Sequence, residues 1–453
     1  MFFPMLKGTR LQRVTETKLP GLDRRESAAT PGFREMENLC SEGYPALRTR
    51  PGRGLVETLK KPNGLLAKDA LLWVDGKHLY MNGLEVGPEL TDGEKSLVSM
   101  GAYVVVFPDK VYVNTQDVTD CGSLECERTA PAGSGLALCD ETGTVYSGVT
   151  ESAGAPEGAL WLDLSGTEPV LRQYSREVWT ALESVCVKVQ ATGIGTGFAA
   201  GDGVEVSGCS VARLNGETVL QAADTDWVAF PGTVAGAVTE TAMKLRRFVP
   251  EMDYVVQSGN RLWGCKYGMV DGKPVNEIYA SKLGDCKNWR CFAGLATDSY
   301  AAARGSDGVF TGAVSYLGNP IFFKERCMER VYASGSGAHQ IVTTECSGVQ
   351  KGSARSLQVV GGVLYYLSGD GVQAFDGSLP VCVSQALGAE RYHGGVAGCW
   401  QEKYYLSALD REGKPSLLVY DSARQLWKSG MLEDIAVPLG WNYWFDDEMP
   451  TFS

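Results

Sequence analysis

Gly362-Val-Leu-Tyr-Tyr-Leu-Ser-Gly-Asp-Gly-Val-Gln-Ala-Phe375 is the stretch on which the fold turns. An apolar and aromatic run meets a Ser-Gly-Asp-Gly turn, and a second run ending in an aromatic follows. That is the pattern of a β-hairpin. It recurs at Ala70-Leu-Leu-Trp-Val-Asp-Gly-Lys-His-Leu-Tyr80 and at Pro320-Ile-Phe-Phe-Lys-Glu-Arg-Cys-Met-Glu-Arg-Val-Tyr332. With longer turns it recurs at Asn260–Cys265 followed by 276–281, and at Lys403–Asp410 followed by 416–421. The equivalent aromatics Trp263, Phe322, Tyr365 and Tyr404 are 59, 43 and 39 residues apart. A strand-only period of ~40–50 residues is that of a β-propeller blade. One blade cannot bury both of its faces, so blades stack. The expected fold is all-β, a β-propeller of about five to seven blades. A β-sandwich with long loops would give similar hairpins at less regular spacing.

Two regions interrupt the period. Residues 181–248 contain short runs at 185–189, 204–207, 217–220, 227–230 and 244–248. Several of them alternate apolar and polar residues, as half-buried strands do. This reads as an inserted small β-barrel or sandwich domain. Residues 1–60 carry Pro4, Pro20-Gly21, Pro31-Gly32, Pro45 and Pro51-Gly52. Such density breaks regular structure and predicts an extended N-terminal arm. The organisation expected is therefore an arm (1–60), a first propeller part (61–180), the insertion (181–248) and the rest of the propeller (249–453). Residues 115–180 read as an irregular blade or a long loop region, with Glu177–Glu183 as one short helix.

Composition agrees with a folded, turn-rich chain. Glycine contributes 55 of 453 residues, about 12% against a usual ~7%. No run reaches the ~18 apolar residues of a membrane span, and the first residues lack the pattern of a signal peptide. Residues 1–61 hold 12 Lys+Arg and 7 Asp+Glu, a net of +5, within a chain of net charge −12. A basic arm on an acidic body suits docking on an acidic neighbour, a second copy included, or simple solvation. The acidic body argues against a dedicated DNA binder. The 13 cysteines have irregular spacings. Cys121/Cys126 and Cys286/Cys291 lack the second pair or histidines of a zinc site, so the cysteines read as free thilos of a protein made in a reducing compartment.

No catalytic constellation emerges, and the expectation is no catalytic, cofactor or metal residues and no enzyme. His78, His339 and His393 have no partner at metal-ligand spacing. Gly195-Thr-Gly-Phe-Ala-Ala200 matches the dinucleotide fingerprint formally, but no helix pattern follows it to hold a pyrophosphate. Seven Asp-Gly pairs (at 75, 92, 202, 271, 307, 370 and 376) suit tight turns. Ser306-Asp307-Gly308 partly resembles the aspartate box of sialidase-like propellers, which spaces its Ser, Asp and Gly one residue apart; here they are adjacent. Trp441, Tyr443, Trp444 and Phe445 form a C-terminal aromatic patch suited to closing a ring of blades.

Several strings carry a family resemblance. PGFREMENLCSEGYPALRTRPGR (31–53) resembles the opening of bacteriophage virion proteins that place such a segment before a propeller. NRLWGC (260–265), IYASKLGDCKNW (278–289), GSDGVFTG (305–312), FFKERCMERVY (322–332), LYYLSGDGVQAFDGS (364–378) and the inserted GDGVEVSGC (201–209) are similar to tail-associated propeller proteins of phages and prophages of Gram-positive gut bacteria. The resemblance spans about residues 30–430. It implies a virion structural protein of the tail, a ring or adaptor of the nozzle-like or distal-tail kind, without catalysis and without cofactors. The implied partners are other tail proteins and further copies in a ring, with genomic DNA passing through unbound and no membrane. Such a protein is made in the host bacterial cytoplasm and ends in the virion. The other reading is a propeller that binds or cleaves host glycans during adsorption.

Overall fold

The computed structural model describes residues 21–26, 32–46, 48–52, 54–55, 57–150, 156–236, 238–239, 242–334 and 337–430, and the backbone of 444–445 and 450–451. Residues 1–20 of the expected arm and the side chains of the C-terminal aromatic patch lie outside the described residues. The chain is all-β and divides into two compact units, residues 59–348 and residues 1–58 with 349–453.

In the 59–348 unit, four sheets are four-stranded antiparallel meanders with strands in chain order, at 62–86, 96–123, 254–303 and 310–345. Their first strands, Pro62–Ala67, Ser96–Met100, Tyr254–Ser258 and Phe310–Tyr316, neighbour one another in that order. Apolar cores fill the space between successive sheets. Leu72, Val74 and Leu79 meet Val104 and Val106, Val105 and Phe107 meet Val255 and Leu262, and Trp263 and Ile278 meet Phe310 and Phe322. The other unit repeats the meander at 358–382 and 393–430, with Tyr365, Leu367, Tyr404 and Leu406 in its core. This arrangement is consistent with multiple blades.

The aromatics that set the sequence period share a structural position. Trp263, Phe322, Tyr365 and Tyr404 all lie on the second strand of their sheets and are buried. Sheets packed on both faces need strands that are apolar on both faces. Val363–Ser368 and Lys403–Leu409 are accordingly buried almost throughout, which is why they read as runs rather than alternations.

The sheets at 96–123 and 254–303 are neighbours although 126–247 lies between them in sequence. That segment forms three sheets, one of them at 149–181, over a common core that includes Leu136, Leu162, Leu171, Val187, Val206, Phe230 and Leu245. One sheet joins Cys126–Ala130, Met243–Arg247, Gly203–Ser207 and Gly216–Val219. Another contains Trp227–Pro231, Cys186–Gln190 and Gly135–Cys139. Met243–Arg247 alternates buried and exposed residues along its length, as a strand with one core face must. The pairing of 126–130 with 243–247 brings residues upstream of 181 into the same sheets.

Two local expectations differ from the structure. Glu177–Glu183 is not helical: Val178–Ala181 is a strand paired with Val170–Ser175. Valine, tryptophan and threonine favour extended backbone, and Arg176 and Glu177 take left-handed φ of 52° and 65° to make the tight turn. Of the two alternatives for 115–180, the blade-like one is found: Val149–Thr150, Leu160–Asp163, Val170–Ser175 and Val178–Ala181 form a four-stranded sheet. At 260–281 the hairpin is longer than expected, with strands Arg261–Val270 and Lys273–Ala280. Asp271 and Gly272 turn it with φ of 48° and 76°, a conformation in which Asp-Gly is favoured.

Candidate functional site

The histidines sit in separate environments. The exposed His78 places its Nδ1 2.8 Å from the Glu85 carboxylate. His339 packs edge-on to Trp263 and Tyr300, accepts a hydrogen bond from the Ser334 amide at 3.1 Å, and is held below its usual range by burial and then by Arg261. His393 opens an exposed strand end. Among the described residues no group of three or more His, Cys, Asp or Glu side chains is placed to hold a metal ion. Gly195–Ala200 leads through turns into the strand Gly203–Ser207. Ser306 caps the buried Glu329 with its hydroxyl and accepts from Lys324 through its carbonyl at 2.8 Å, while Asp307 is exposed.

One of the seven Asp-Gly pairs does more than turn the chain. Asp202 is buried and pairs with the buried Arg247. It accepts from Asn288 at 2.8 Å and from the Ala199 amide at 3.0 Å. Asn288 in turn accepts from the Gly203 amide at 3.0 Å. Arg247 also donates to the carbonyls of Leu124 and Gly197 at 3.1 and 3.0 Å. A Cβ at residue 203 would collide with the Arg290 carbonyl, so glycine is required for this close approach. The knot fastens the 126–247 region to the segment after Ala280. Asp202 and Gly203 come from one of the strings that carry the family resemblance and Asn288 from another, while Arg247 lies outside them.

A second polar arrangement lies in the other unit, where Gly21–Leu22 and Met36–Ser41 lie along the strand Leu426–Gly430. The Leu22 amide donates to the Trp427 carbonyl at 2.8 Å and the Asn38 amide to the Ser429 carbonyl at 3.1 Å. Leu22 and Met36 enter the core beside Tyr420 and Trp427. Trp427 donates its indole N–H to the Val383 carbonyl at 2.8 Å. Beyond them, Ser41 donates to Asp421 and accepts from Lys428 at 2.8 Å. Glu42 pairs with the buried Lys403, and Arg424 with Asp421 at 3.0 Å. Burial and then the neighbouring Lys403 charge push the Lys428 ammonium down to about 8. Burial tends to raise Glu42, but hydrogen bonds from Cys40 and Lys403 outweigh it and bring the carboxyl to about 2. A cavity of ≈ 420 Å³ sits at this seam, with Leu39, Arg48, Arg50, Trp400, Tyr405 and Lys428 in its lining.

Chemically the seam is a fastening. Its buried charges are matched to one another across the joint, as buried ions must be. The sequence showed an extended, basic segment; it did not show that the part from residue 21 onward lies on its own unit. The signal available was the apolar spacing of Leu22, Met36 and Leu39 within an otherwise polar string.

A second surface was also missed. In the 149–181 sheet Leu162 and Leu171 face the core. The other face carries Trp161, Tyr174 and Trp179, with centroid separations of 5.5 Å for the tryptophans and 5.2 Å for Tyr174–Trp179. Arg172 lies 5.9 Å over Trp161 and donates to Asp163 at 2.8 Å. All three aromatics are half-buried.

No protein-family model and no curated protein matches this chain. Among solved structures, AztD of Citrobacter koseri is 10% identical with a TM-score of 0.32, over 85% of this chain and 87% of that one. The endosialidase of phage phi92 is 9% identical with a TM-score of 0.17, over 87% of this chain and 52% of that one. At these scores neither likeness carries an argument about function.

Proposed function

We propose that the chain is a non-catalytic structural component of a bacteriophage tail, a propeller-like body that assembles with further copies into a ring or adaptor. The observation that carries this reading is the fastening of Leu22 and Met36–Glu42 onto the last sheet of their unit. A string that resembles virion proteins is here used to build a joint, with its ionic groups matched internally. The proposal places the protein in the virion after synthesis in the host cytoplasm, beside other tail proteins, with DNA passing an acidic body that repels phosphate.

With Leu22 and Met36–Glu42 committed to their own unit, the proposal assigns assembly with a neighbour to residues 1–20. It carries Lys7, Arg10, Arg13 and Lys18 against Glu16, a charge suited to an acidic neighbouring copy. Deleting residues 1–20 is expected to leave the circular dichroism spectrum and unfolding midpoint unchanged while incorporation into particles falls at least tenfold in a complementation assay. Normal incorporation of the truncated chain would refute the arm's role in assembly.

The aromatic face of the 149–181 sheet favours a second reading, host-glycan binding. Half-exposed rings beside an Arg–Asp pair offer both flat apolar surface and directional hydrogen bonds, the mixture found in polar-ligand sites. The double variant Trp161→Ala, Trp179→Ala should then abolish binding to cell-wall or capsular glycans on an array. Absence of any glycan binding by the unaltered protein would dismiss this reading and leave the first intact.

A further inference from the structure

We infer that Cys139 and Cys186 constitute a redox modification site, a cross-strand dithiol that a low-molecular-weight disulfide converts to a disulfide. The strands Gly135–Cys139 and Cys186–Gln190 are antiparallel neighbours, and their register sets Cys139 directly opposite Cys186. Among the described ladders no other two cysteines are so opposed.

The hydrogen bonds at the ladder end define the pair further. The Leu138 carbonyl accepts from the Tyr146 amide and the Val185 carbonyl from the Gly232 amide. Both carbonyls therefore point away from the shared ladder. Because backbone groups alternate sides along a strand, those of Cys139 and Cys186 point at one another. A pair of that type has Cα atoms ~5.5 Å apart, within the usual ~5.5–6 Å of a disulfide. Directly opposed side chains share a face, and the two thiols cluster there with the small Ala229.

That face is turned away from the common core, and the chain after Cys139 folds back over it. The Asp140 carboxylate organises the turn by accepting from the amides of Thr142 and Thr144, each at 2.9 Å. Lys188 donates to the Gly143 carbonyl at 2.9 Å while its ammonium lies 4.0 Å over the Trp227 ring. Burial holds the thiols high, Cys139 at about 12 and Cys186 at about 11. The covered pair is thus protonated and slow, and exchange proceeds when the 140–144 turn lifts.

The chemistry balances with one oxidant. One thiol loses its proton and attacks the small disulfide, forming a mixed disulfide and releasing one small thiolate. The second thiol then attacks the mixed disulfide, closes the Cys139–Cys186 bond and releases the second small thiolate. Two electrons pass to the small disulfide, and the two thiol protons end on its released halves. The inference does not rest on the role proposed above.

The test incubates the full chain with oxidised glutathione, blocks remaining thiols with N-ethylmaleimide, and maps peptides by mass spectrometry without reduction. The exposed Cys399 reports that the oxidant has acted. The expected result is a cross-linked peptide joining Cys139 to Cys186, two hydrogens lighter than the sum of its parts. Lys188→Ala should speed its formation several-fold without changing the rate at Cys399. Recovery of Cys139 and Cys186 as maleimide adducts, or as separate glutathione adducts, once Cys399 has reacted overturns the inference.

Discussion

Moving from about pH 8 to about pH 10.5 should cost the 59–348 unit on the order of 8 kcal/mol of folding stability. The cause is a set of wholly or partly buried thiols. Burial raises Cys139 and Cys286 to about 12 and Cys186 and Cys346 to about 11, and it acts in the same direction on Cys265. In the unfolded chain each thiol ionises near 9.0. Above that pH the folded state binds more protons than the unfolded one, so stability falls as pH rises. At about pH 10.5 the difference is about 2 kcal/mol for each of Cys139, Cys186, Cys286 and Cys346, and the four act together. Lys428, in the other unit, runs the opposite way. Its folded value of about 8 lies below the 10.5 of a free lysine, so its burial penalty is relieved across the same window. Urea unfolding under reducing conditions at the two pH values checks the expectation. The double variant Cys139→Ala, Cys286→Ala should lose about half of the pH dependence. An unfolding midpoint for the 59–348 unit that does not move between the two pH values would contradict it.

Loss of the fastened segment is the second large effect. Leu22 is fully buried against Tyr420 and Trp427, so Leu22→Ala should destabilise its unit by about 3 kcal/mol through lost transfer energy and the cavity left behind. Deletion through Arg50 goes further. It removes Leu22 and Met36 from the core, Ser41 from Asp421 and Lys428, and Glu42 from Lys403. Truncating one large buried apolar side chain costs ~2–5 kcal/mol; here two leave the core and the buried Lys403 and Lys428 ammoniums each lose a partner, so this deletion should leave the 393–430 sheet without cooperative structure. Hydrogen exchange reads the outcome in the amides of Leu417–Asp421 and Leu426–Trp427. Protection there equal to that of the full chain would show that the segment is an appendage after all. The contrast with removal of residues 1–20, expected to be silent on stability, separates assembly from folding.

The meanders were legible because a strand packed on both faces must be apolar on both faces. That requirement writes itself into runs such as Tyr404-Tyr-Leu406 and into the spacing of Trp263, Phe322, Tyr365 and Tyr404. The alternating strands of the insertion were legible for the complementary reason, one core face. Glu177–Glu183 was misread because a short string with two glutamates and a leucine has no period long enough to separate helix from strand. Pairing with 170–175 decided it. The role of Asp202 was hidden by its glycine neighbour, since Asp-Gly has a sufficient local explanation in turns. The partners Arg247 and Asn288 are 45 and 86 residues away.

The sequence alone therefore determined what depends on neighbours along the chain: the all-β class, the hairpins, and the period of the aromatic strands. Local propensity and apolar pattern suffice for those. Tertiary structure alone decided what depends on meetings across the chain. It laid Leu22 and Met36–Ser41 on the strand Leu426–Gly430, closed the Asp202–Arg247–Asn288 knot, gathered Trp161, Tyr174 and Trp179 on one face, and set Cys139 opposite Cys186. A buried charge or an opposed thiol is defined by its partner, and no local string records who that partner is.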